Sequence, residues 1–596
     1  MAILGISCFY HDSAACIIVD GKIVAAAQEE RFTRKKHDAR FPSQAISFCL
    51  SFANISPVDI EAIVFYDKPF DTFERIIETI LHSWPFGISF FVSALPTWIK
   101  EKIFTKQVIK RELYKLGFKT KTNIKFSTHH FSHAASSFYP SGFESAAIVV
   151  LDGVGEWASI SIYDADANGI TLKKELRYPH SLGLLYSAFT LFCGFKVNSG
   201  EYKLMGLAPY GMIDSDQTQD YIKKIKSELV QIFEDGSICL NMNYFKYNTH
   251  MTMVHQRKWK TLFNLERRKA ESEITQEYMN LALAIQTVLE EIVLKIAKHA
   301  KFITGKNNLC LAGGVALNCV ANAKILEAKF FEKVWIQPAA GDAGGAMGAA
   351  LAYDNLNHSG KNAPERFTPF LGPSFDQEEI SNCLNTYQLK FEQFANEELL
   401  ASECARLLDE QKIIGWFQGR MEWGPRALGH RSILADARRF EMKEHLNIKI
   451  KLRENFRPFA PIVLEEEAKF YFQDDYHCPF MMFTNKLKKE REVNSKSPFP
   501  AVTHLDGTSR LQSVTAESDP LMFKLLSEFK KKSGIGLLIN TSFNVRGEPI
   551  VCSPDDAVRC FLSNDMDVLV LGNVLIRRDN QDPENLKVES RPLLLD

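Results

Sequence analysis

The stretch Leu4-Gly5-Ile6-Ser7-Cys8-Phe9-Tyr10-His11-Asp12-Ser13-Ala14-Ala15-Cys16-Ile17-Ile18-Val19-Asp20-Gly21-Lys22-Ile23-Val24-Ala25-Ala26-Ala27 reads as three short strands. Leu4 to Cys8 is apolar, Phe9 to Ser13 is a polar turn, and Ala14 to Val19 is apolar again. Asp20-Gly21 then supplies a hairpin turn into Lys22 to Ala27, because Asp and Gly tolerate the backbone such turns need. Two strands around a short polar turn form the opening of many nucleotide-phosphate sites. The pattern returns downstream. Ala146 to Leu151 is an apolar strand ending at Asp152-Gly153, and Leu309 to Ala312 ends at Gly313-Gly314. Between them Tyr278, Leu281, Ile285, Val288, Leu289, Ile292 and Ile296 fall on one face of a helix. This alternation predicts an α/β core whose sites lie at strand ends.

Length and composition bound the rest. At roughly 100 to 200 residues per domain, 596 residues exclude a single compact domain. Hydrophobic residues at 46% and charged residues at 24% disfavour disordered, collagen-like and coiled-coil chains. With 71 Lys+Arg against 72 Asp+Glu the net charge is -1, too small to create a field that holds nucleic acid or an anionic membrane. Twelve cysteines without a CxxC pair predict free thiols in a reducing cytoplasm. Met1 to Gly5 runs straight into a strand and predicts no secretory leader. Thr79 to Ile99 lacks Asp, Glu, Lys and Arg and is long enough to cross a bilayer. Pro85, Gly87 and Pro96 interrupt it, which favours a helical hairpin over stable membrane insertion. The least structured stretch, Asn355 to Pro369, marks the expected domain boundary.

Three constellations carry chemistry. His129 and His133 stand four apart, which on a helix puts both imidazoles on one face. Asp152 and Asp342, each in a glycine-rich turn, could complete a two-His, two-Asp metal site, and such mixed ligands suit Fe(II), Mn(II) or Zn(II). On spacing alone the plainer reading is favoured, in which the histidines pack within a helix and the aspartates brace turns. The second group is the glycine turns at Gly313 to Asn318 and Gly341 to Gly348. Such turns let backbone amides approach a phosphate, although neither matches a dinucleotide or Walker fingerprint.

The third group is arginine-rich: Gln418 to Ser432 with Arg426, Lys451 to Phe459 with Arg457, Thr508 to Arg510, and Asn540 to Pro549 with Ser542 and Arg546. Cations embedded among Trp, Phe, Pro and Gly need partners or a bound anion. They read either as a polyphosphate or acyl-phosphate site or as an internal network with Glu422, Glu454 and Glu548.

Together these motifs resemble the O-carbamoyltransferase family of natural-product biosynthesis, which includes nodulation-factor, cephem, aminoglycoside, ansamycin and saxitoxin-pathway enzymes. The resemblance runs over nearly the whole chain. It rests on His11 to Ala14, Gln28 to Phe32, His129-His130 with His133-Ala134, Leu151 to Glu156, Gly200 to Ala208, Gly313 to Asn318, Gly341 to Gly344, Gly424 to Gly429, Arg457 to Pro461 and Asn540 to Glu548. Phe131 stands where the family more usually has an aliphatic residue.

The resemblance implies an actin-like (ASKHA) domain over residues 1–358, a linker over 359–369 and a YrdC-like α/β domain over 370–596. The C-terminal site would make carbamoyl-adenylate from ATP and carbamoyl phosphate using Arg426, Lys451, Arg457, Arg510, Asn540, Ser542 and Arg546. The N-terminal site would pass the carbamoyl group to a hydroxyl. There the resemblance makes His129, His133, Asp152 and Asp342 metal ligands, Fe(II) favoured over Mn, Zn or Mg. It also assigns Gly153, Gly313, Gly314, Asn318 and Gly341 to the nucleotide, and His11, Asp12 and Lys203 to catalysis. The expected partner is a small-molecule hydroxyl acceptor, as in antibiotic biosynthesis, with no nucleic acid; a cytoplasmic homodimer is the assembly considered. The competing functions are a tRNA threonylcarbamoyladenosine-type fusion, against which the neutral charge stands, and a non-catalytic nucleotide sensor.

Overall fold

The structure is a computed structural model that describes residues 1–84, 104–119, 122–250, 252–358, 367–473, 476–493 and 496–586. It divides into two compact units. The N-terminal unit takes Met1–Glu29 and His37–Phe367, and the C-terminal unit takes Thr368–Asp596 together with the short segment Glu30–Lys36.

The N-terminal unit contains β1 (Ala2–Ser7), β2 (Ala14–Val19), β3 (Lys22–Gln28), β4 (Ile60–Phe65) and β5 (Ile124–Phe126) in the order β3-β2-β1-β4-β5. β1 is antiparallel to β2 and parallel to β4. A second sheet is built from β6 (Ala146–Leu151), β7 (Ala158–Asp166), β8 (Gly169–Arg177), β11 (Asn308–Ala312) and β12 (Lys333–Ile336), in the order β12-β11-β6-β7-β8; β9 (Val230–Ile232) and β10 (Ile238–Leu240) form a separate hairpin. β6 is antiparallel to β7 and parallel to β11. Read outward from its first strand, each sheet has the same topology, which is the duplicated actin-like fold. The three strands expected at the N-terminus are present, and so is the strand at Ala146.

Helices cover the sheets: α1 (His129–Phe138), α2 (Leu182–Phe192), α3 (Gln276–Thr304), α4 (Cys319–Glu327) and α5 (Asp342–His358). The predicted apolar face of α3 is buried, with Leu281, Ile285, Val288 and Ile292 wholly so; each such side chain contributes about 1.5–3 kcal/mol. α5 lies close against its neighbours because its residues are small. A Cβ on Gly348 would stand 1.7 Å from the Ser132 carbonyl oxygen of α1, so nothing larger than glycine is possible there. That close approach fixes Asp342, the first residue of α5, relative to His129 and His133 on α1.

The C-terminal unit is α/β. Its mixed sheet contains β13 (Glu392–Gln393), β14 (Ile414–Phe417), β15 (Arg431–Asp436), β16 (Ala460–Leu464), β19 (Gln512–Val514), β20 (Leu537–Ser542), β21 (Val568–Leu571) and β22 (Val574–Arg577). The order is β13-β22-β21-β14-β15-β20-β16-β19, and β17 (Asn485–Lys486) pairs separately with β18 (Thr508–Ser509). Its core packs Trp416, Leu434, Ile462 and Leu538 against Leu400, Leu525, Leu526 and Phe529 of two helices.

Residues 85–99 of the apolar stretch and 359–366 of the expected linker lie outside the described residues, while Thr79–Ser83 ends a helix that begins at Pro69. Among the described residues no helix is long and apolar enough to cross a membrane.

Candidate metal centre and anion site

In the N-terminal unit the functional side chains stand where chain geometry puts them, at the ends of strands. His11 and Asp12 occupy the turn after β1, and Asp152 follows β6 at the equivalent place in the second sheet. His129 and His133 lie one turn apart on α1, and Glu156 Oε1 accepts the His129 amide at 2.8 Å, a carboxylate at a helix N-terminus. The Nε2 atoms of His129 and His133 are 3.1 Å apart. His129 Nε2 lies 2.9 Å from Asp152 Oδ2 and 3.6 Å from Asp342 Oδ1, and His133 Nε2 lies 3.7 Å from each of those oxygens. All four residues are buried.

Four ligands held about 2.1 Å from one ion in a tetrahedral array stand about 3.4 Å apart. The observed spacings bracket that value, so the donor set fits a divalent ion. The second oxygens are also committed. Asp152 Oδ1 accepts the Gly314 amide at 2.9 Å, and Asp342 Oδ2 accepts the Tyr66 hydroxyl at 3.2 Å. Gly313 makes the first of these contacts possible. Its φ is +90°, and a Cβ there would stand 2.2 Å from the Leu151 carbonyl oxygen.

Among the four side chains themselves, the carboxylates favour protons on the imidazoles. Burial opposes the charge of His129, but the hydrogen bond to Asp152 and the nearby Asp342 outweigh it and push the ring up to about 10. Burial would likewise raise Asp152, yet His129 and His133 hold it well below the usual carboxylate range.

His11 sits beside this cluster. Its Nδ1 is 3.0 Å from Asp12 Oδ2 and its Nε2 is 3.7 Å from Asp342 Oδ2. Asp12 is held from its other side by His37 Nδ1 at 2.8 Å. Gly153 and Gly341 have open space where a Cβ would be, leaving room for a ligand. Asn318 is committed to the fold: its side chain caps α4 through Ala321 N and exchanges hydrogen bonds with Gln286. Lys203 is buried, its ammonium 6.0 Å from the centroid of Phe195.

In the C-terminal unit the predicted anion-binding residues radiate from Asn540. Its Nδ2 donates to Ala427 O at 3.1 Å, next to Arg426, and to Gln512 Oε1 at 2.7 Å, two residues beyond Arg510. In register it faces Ala460, three residues after Arg457. Ser542 lies two residues along β20, and side chains at i and i+2 share a face of a strand. Lys451 reaches Ser542 there, donating to its backbone oxygen and, at 3.3 Å, to its hydroxyl, with further bonds of 3.0 Å to Asn544. Lys451 is 2% exposed. Burial, with Arg453 and Arg457 nearby, pushes its ammonium well below the ordinary range, and a bound anion would reverse that.

The alternative internal network has members among these residues. Arg457 lies 3.8 Å from Glu454, whereas Glu422 Oε1 accepts the amides of Leu428, His430 and Arg431 at 2.8 to 2.9 Å. Arg546 adjoins Gly547, whose φ is +79°.

A family model for the carbamoyltransferase N-terminus matches residues 2–351, and one for the carbamoyltransferase C-terminus matches residues 405–578. The chain belongs to the carbamoyltransferase family. It is a transferase. Among its relatives, the uncharacterized Synechocystis protein sll1178 is 47% identical over 97% of each chain. The nodulation protein NolNO of Sinorhizobium fredii is 36% identical over 97% of this chain and 80% of its own. A ROK hexokinase structure from Thermus thermophilus aligns at 15% identity and a TM-score of 0.27, over 60% of this chain and 100% of its own, too distant to bear on activity.

Several residues around these carbamoyltransferase sites carry no signal of their own in the sequence. Tyr66 braces the His/Asp cluster and His37 braces Asp12, whereas Glu156, which also braces the cluster, was already part of the motif Leu151 to Glu156. In the C-terminal unit Arg31 Nη2 donates to Gly424 O at 2.7 Å, and Arg34 donates to Ile550 O at 2.6 Å and Pro549 O at 2.7 Å. The motif Gln28 to Phe32 pointed to this segment, but only the fold shows that its arginines tie down the loops bearing Arg426 and Arg546.

Proposed function

We propose that this carbamoyltransferase works in two ATP-dependent half-reactions and delivers its carbamoyl group to a hydroxyl of a small natural product. In the first, water displaces phosphate from carbamoyl phosphate, and an oxygen of the resulting carbamate attacks the α-phosphorus of ATP. Carbamoyl-adenylate forms and pyrophosphate leaves. In the second, an alcohol attacks the carbamoyl carbon, AMP leaves and the alcohol's proton passes to a base. Summed, carbamoyl phosphate, ATP, alcohol and water give the carbamate ester, AMP, pyrophosphate and phosphate.

Lys451, Arg457, Arg426, Arg510 and Arg546 neutralise phosphate charge in the first half-reaction, with Ser542 and Asn540 as polar contacts. His129, His133, Asp152 and Asp342 hold a divalent ion, Fe(II) favoured over Mn, Zn or Mg, which when bound supplies Lewis acidity to the leaving adenylate. The convergence of those four donor atoms on one point carries this reading, since a purely structural role would not need it. Gly153, Gly313, Gly314 and Gly341 admit the nucleotide, and Asn318 shapes that turn from behind. His11 accepts the proton, Asp12 orients it, and Lys203 completes the catalytic set. The reading places the enzyme in the cytoplasm, as a homodimer, without a nucleic-acid partner.

Incubation with ATP and carbamoyl phosphate, and separately with ATP, threonine and bicarbonate, tests it. Pyrophosphate and an adenylate should appear only with carbamoyl phosphate. Product only with threonine and bicarbonate would favour the tRNA-modifying alternative, and none with either would favour a sensor.

A further inference from the structure

One arginine beside the metal centre carries a charge that the fold leaves open. Arg75, on the helix Pro69–Ser83, donates from Nη1 to Gly155 O at 2.6 Å, and its guanidinium carbon lies 5.2 Å from the centroid of Tyr178. Among the described residues no carboxylate stands within ion-pair distance of it. Asp67 and Glu156 act on it from farther away, and burial still pushes its pKa below the ordinary arginine value. Glu156 is itself engaged, its Oε1 accepting the amides of His129 and Lys68 at 2.8 and 2.9 Å. Taking a cation partly out of water is costly unless an anion reaches it. Gly155 uses Nη1, so the open edge is Nε with Nη2, two parallel donors that match the two oxygens of a carboxylate or phosphate.

Neighbouring residues fix where that edge lies. A Cβ on Gly155 would stand 3.0 Å from His129 Cβ and 3.1 Å from His129 Cδ2, so the carbonyl that holds Arg75 belongs to a residue packed on the His/Asp cluster. Tyr10 lies close by. Its ring centroid is 4.5 Å from that of His11, it is 54% exposed, and its hydroxyl feels Asp342, Asp152 and Arg75 alike. Arg75, Tyr10 and His11 thus gather at one edge of the cluster, all within the N-terminal unit.

In the transfer step His11 faces the attacking hydroxyl, so the groups beside His11 meet the rest of the acceptor. The adenylate phosphate has the metal ion as its counter-charge, which leaves Arg75 to the acceptor. Resting on the function proposed above, we infer that the acceptor carries a carboxylate or phosphate group within a few bonds of its reacting hydroxyl, held by Arg75, with the Tyr10 ring against its carbon skeleton.

Metal-loaded enzyme with ATP and carbamoyl phosphate is offered alcohols paired by charge: glycerate and glycerol, glucuronate and glucose, glucose 6-phosphate and glucose. Carbamate-ester formation is followed in the wild type, Arg75→Gln and Arg75→Lys, with thermal midpoints recorded for each. The wild type should favour the charged member of at least one pair by about tenfold or more in kcat/KM, the scale of hydrogen bonds to a charged group, and Arg75→Gln should bring that pair within about threefold. Arg75→Lys keeps the charge without the fork and should fall between them. A wild type that treats every pair alike, or that makes adenylate but carbamoylates no charged member, overturns the inference and leaves the two-step reaction standing. A folded Arg75→Gln that keeps the preference, or that slows charged and neutral members equally, overturns it too, the latter by placing Arg75 on the adenylate. A wild type that releases no pyrophosphate overturns the functional reading instead. Should Arg75→Gln fail to fold, the wild-type ratio and Arg75→Lys decide.

Discussion

His133 Nε2 stands 3.1 Å from His129 Nε2, and both nitrogens face the same pair of carboxylates, Asp152 and Asp342. Two ring nitrogens share so small a space usefully only when both face a common cation. Removing His133 leaves at most three protein ligands. His133→Ala should cut metal content from about one ion per chain to a small fraction of that, since even outer-shell changes cost about 10–100-fold in affinity. Transfer should fall with it, while pyrophosphate release persists. Full metal occupancy in the purified variant would remove His133 from the ligand set.

Metal binding should release protons. In the metal-free protein His129 is pushed up to about 10, against about 6.5 in an unfolded chain. That shift stabilises the fold fully below about pH 6.5 and is lost as pH rises through about 10. Asp152, depressed by the two histidines against its burial, contributes above about pH 4 and loses that contribution on acidification. A divalent ion takes the place of the imidazolium protons. The metal-free protein should therefore lose thermal stability as pH climbs from about 7 to 10, and metal affinity should rise over the same range. Thermal midpoints with and without metal across pH, and titrations in buffers of different ionisation enthalpy, check both.

The fold was legible wherever a strand ends in a charged or glycine-rich turn. His11-Asp12, Asp152-Gly153, Gly313-Gly314 and Asp342 all announce themselves that way, and the 3.6-residue period of the Tyr278 to Ile296 face announces its helix. Spacing could not say that His129 and His133 meet Asp152 and Asp342. That meeting depends on glycines such as Gly348 letting helices close to within contact, a tertiary fact. Residues that act through backbone were also illegible: Arg31 and Arg34 hold carbonyls of Gly424, Pro549 and Ile550, and any residue has a carbonyl. Arg431 shows the converse, since its motif is arginine-rich but its guanidinium is consumed by the fold.

Arg431 is wholly buried. It donates to Gln418 O at 2.5 Å and to Pro373 O, His430 O and Gly419 O at 3.1 to 3.2 Å, with its guanidinium carbon 3.6 Å from the Phe417 centroid. Burial pushes its pKa down to about 10 despite Glu422. Arg431→Leu strands several carbonyls at once, so it should cost about 3 kcal/mol or more. Denaturant unfolding followed by tryptophan fluorescence would read this. A change of under about 0.5 kcal/mol would mean that those carbonyls find water.

Arg457 behaves differently: it lies at 14% side-chain exposure with Glu454 Oε2 3.8 Å away, a separation beyond an ordinary hydrogen bond. Arg457→Ala should abolish carbamoyl-adenylate formation and leave transfer from chemically supplied carbamoyl-adenylate largely intact. Normal adenylate synthesis in this variant would break the assignment of the two half-reactions to two sites.

His11 is the sharpest test of the transfer step. Burial works against its charge, but Asp342 and Asp12 hold it protonated, with a pKa pushed up to about 9. An imidazolium cannot take a proton from an alcohol. Its service as a base therefore requires the charge of Asp342 to be offset, which a bound cation does. In metal-loaded protein the transfer rate should rise with pH to a plateau set by His11, at a pKa below that of the metal-free form. His11→Asn keeps a side chain that can hydrogen-bond toward Asp12 but cannot accept a proton near neutrality. It should slow transfer by about 10²–10⁴, abolish the pH-dependent limb, and spare adenylate synthesis, so that carbamoyl-adenylate accumulates or is lost to water. Single-turnover transfer across pH measures all three. If rate and pH profile both match the wild type, His11 leaves the proton path and keeps only the part of a group that positions the alcohol.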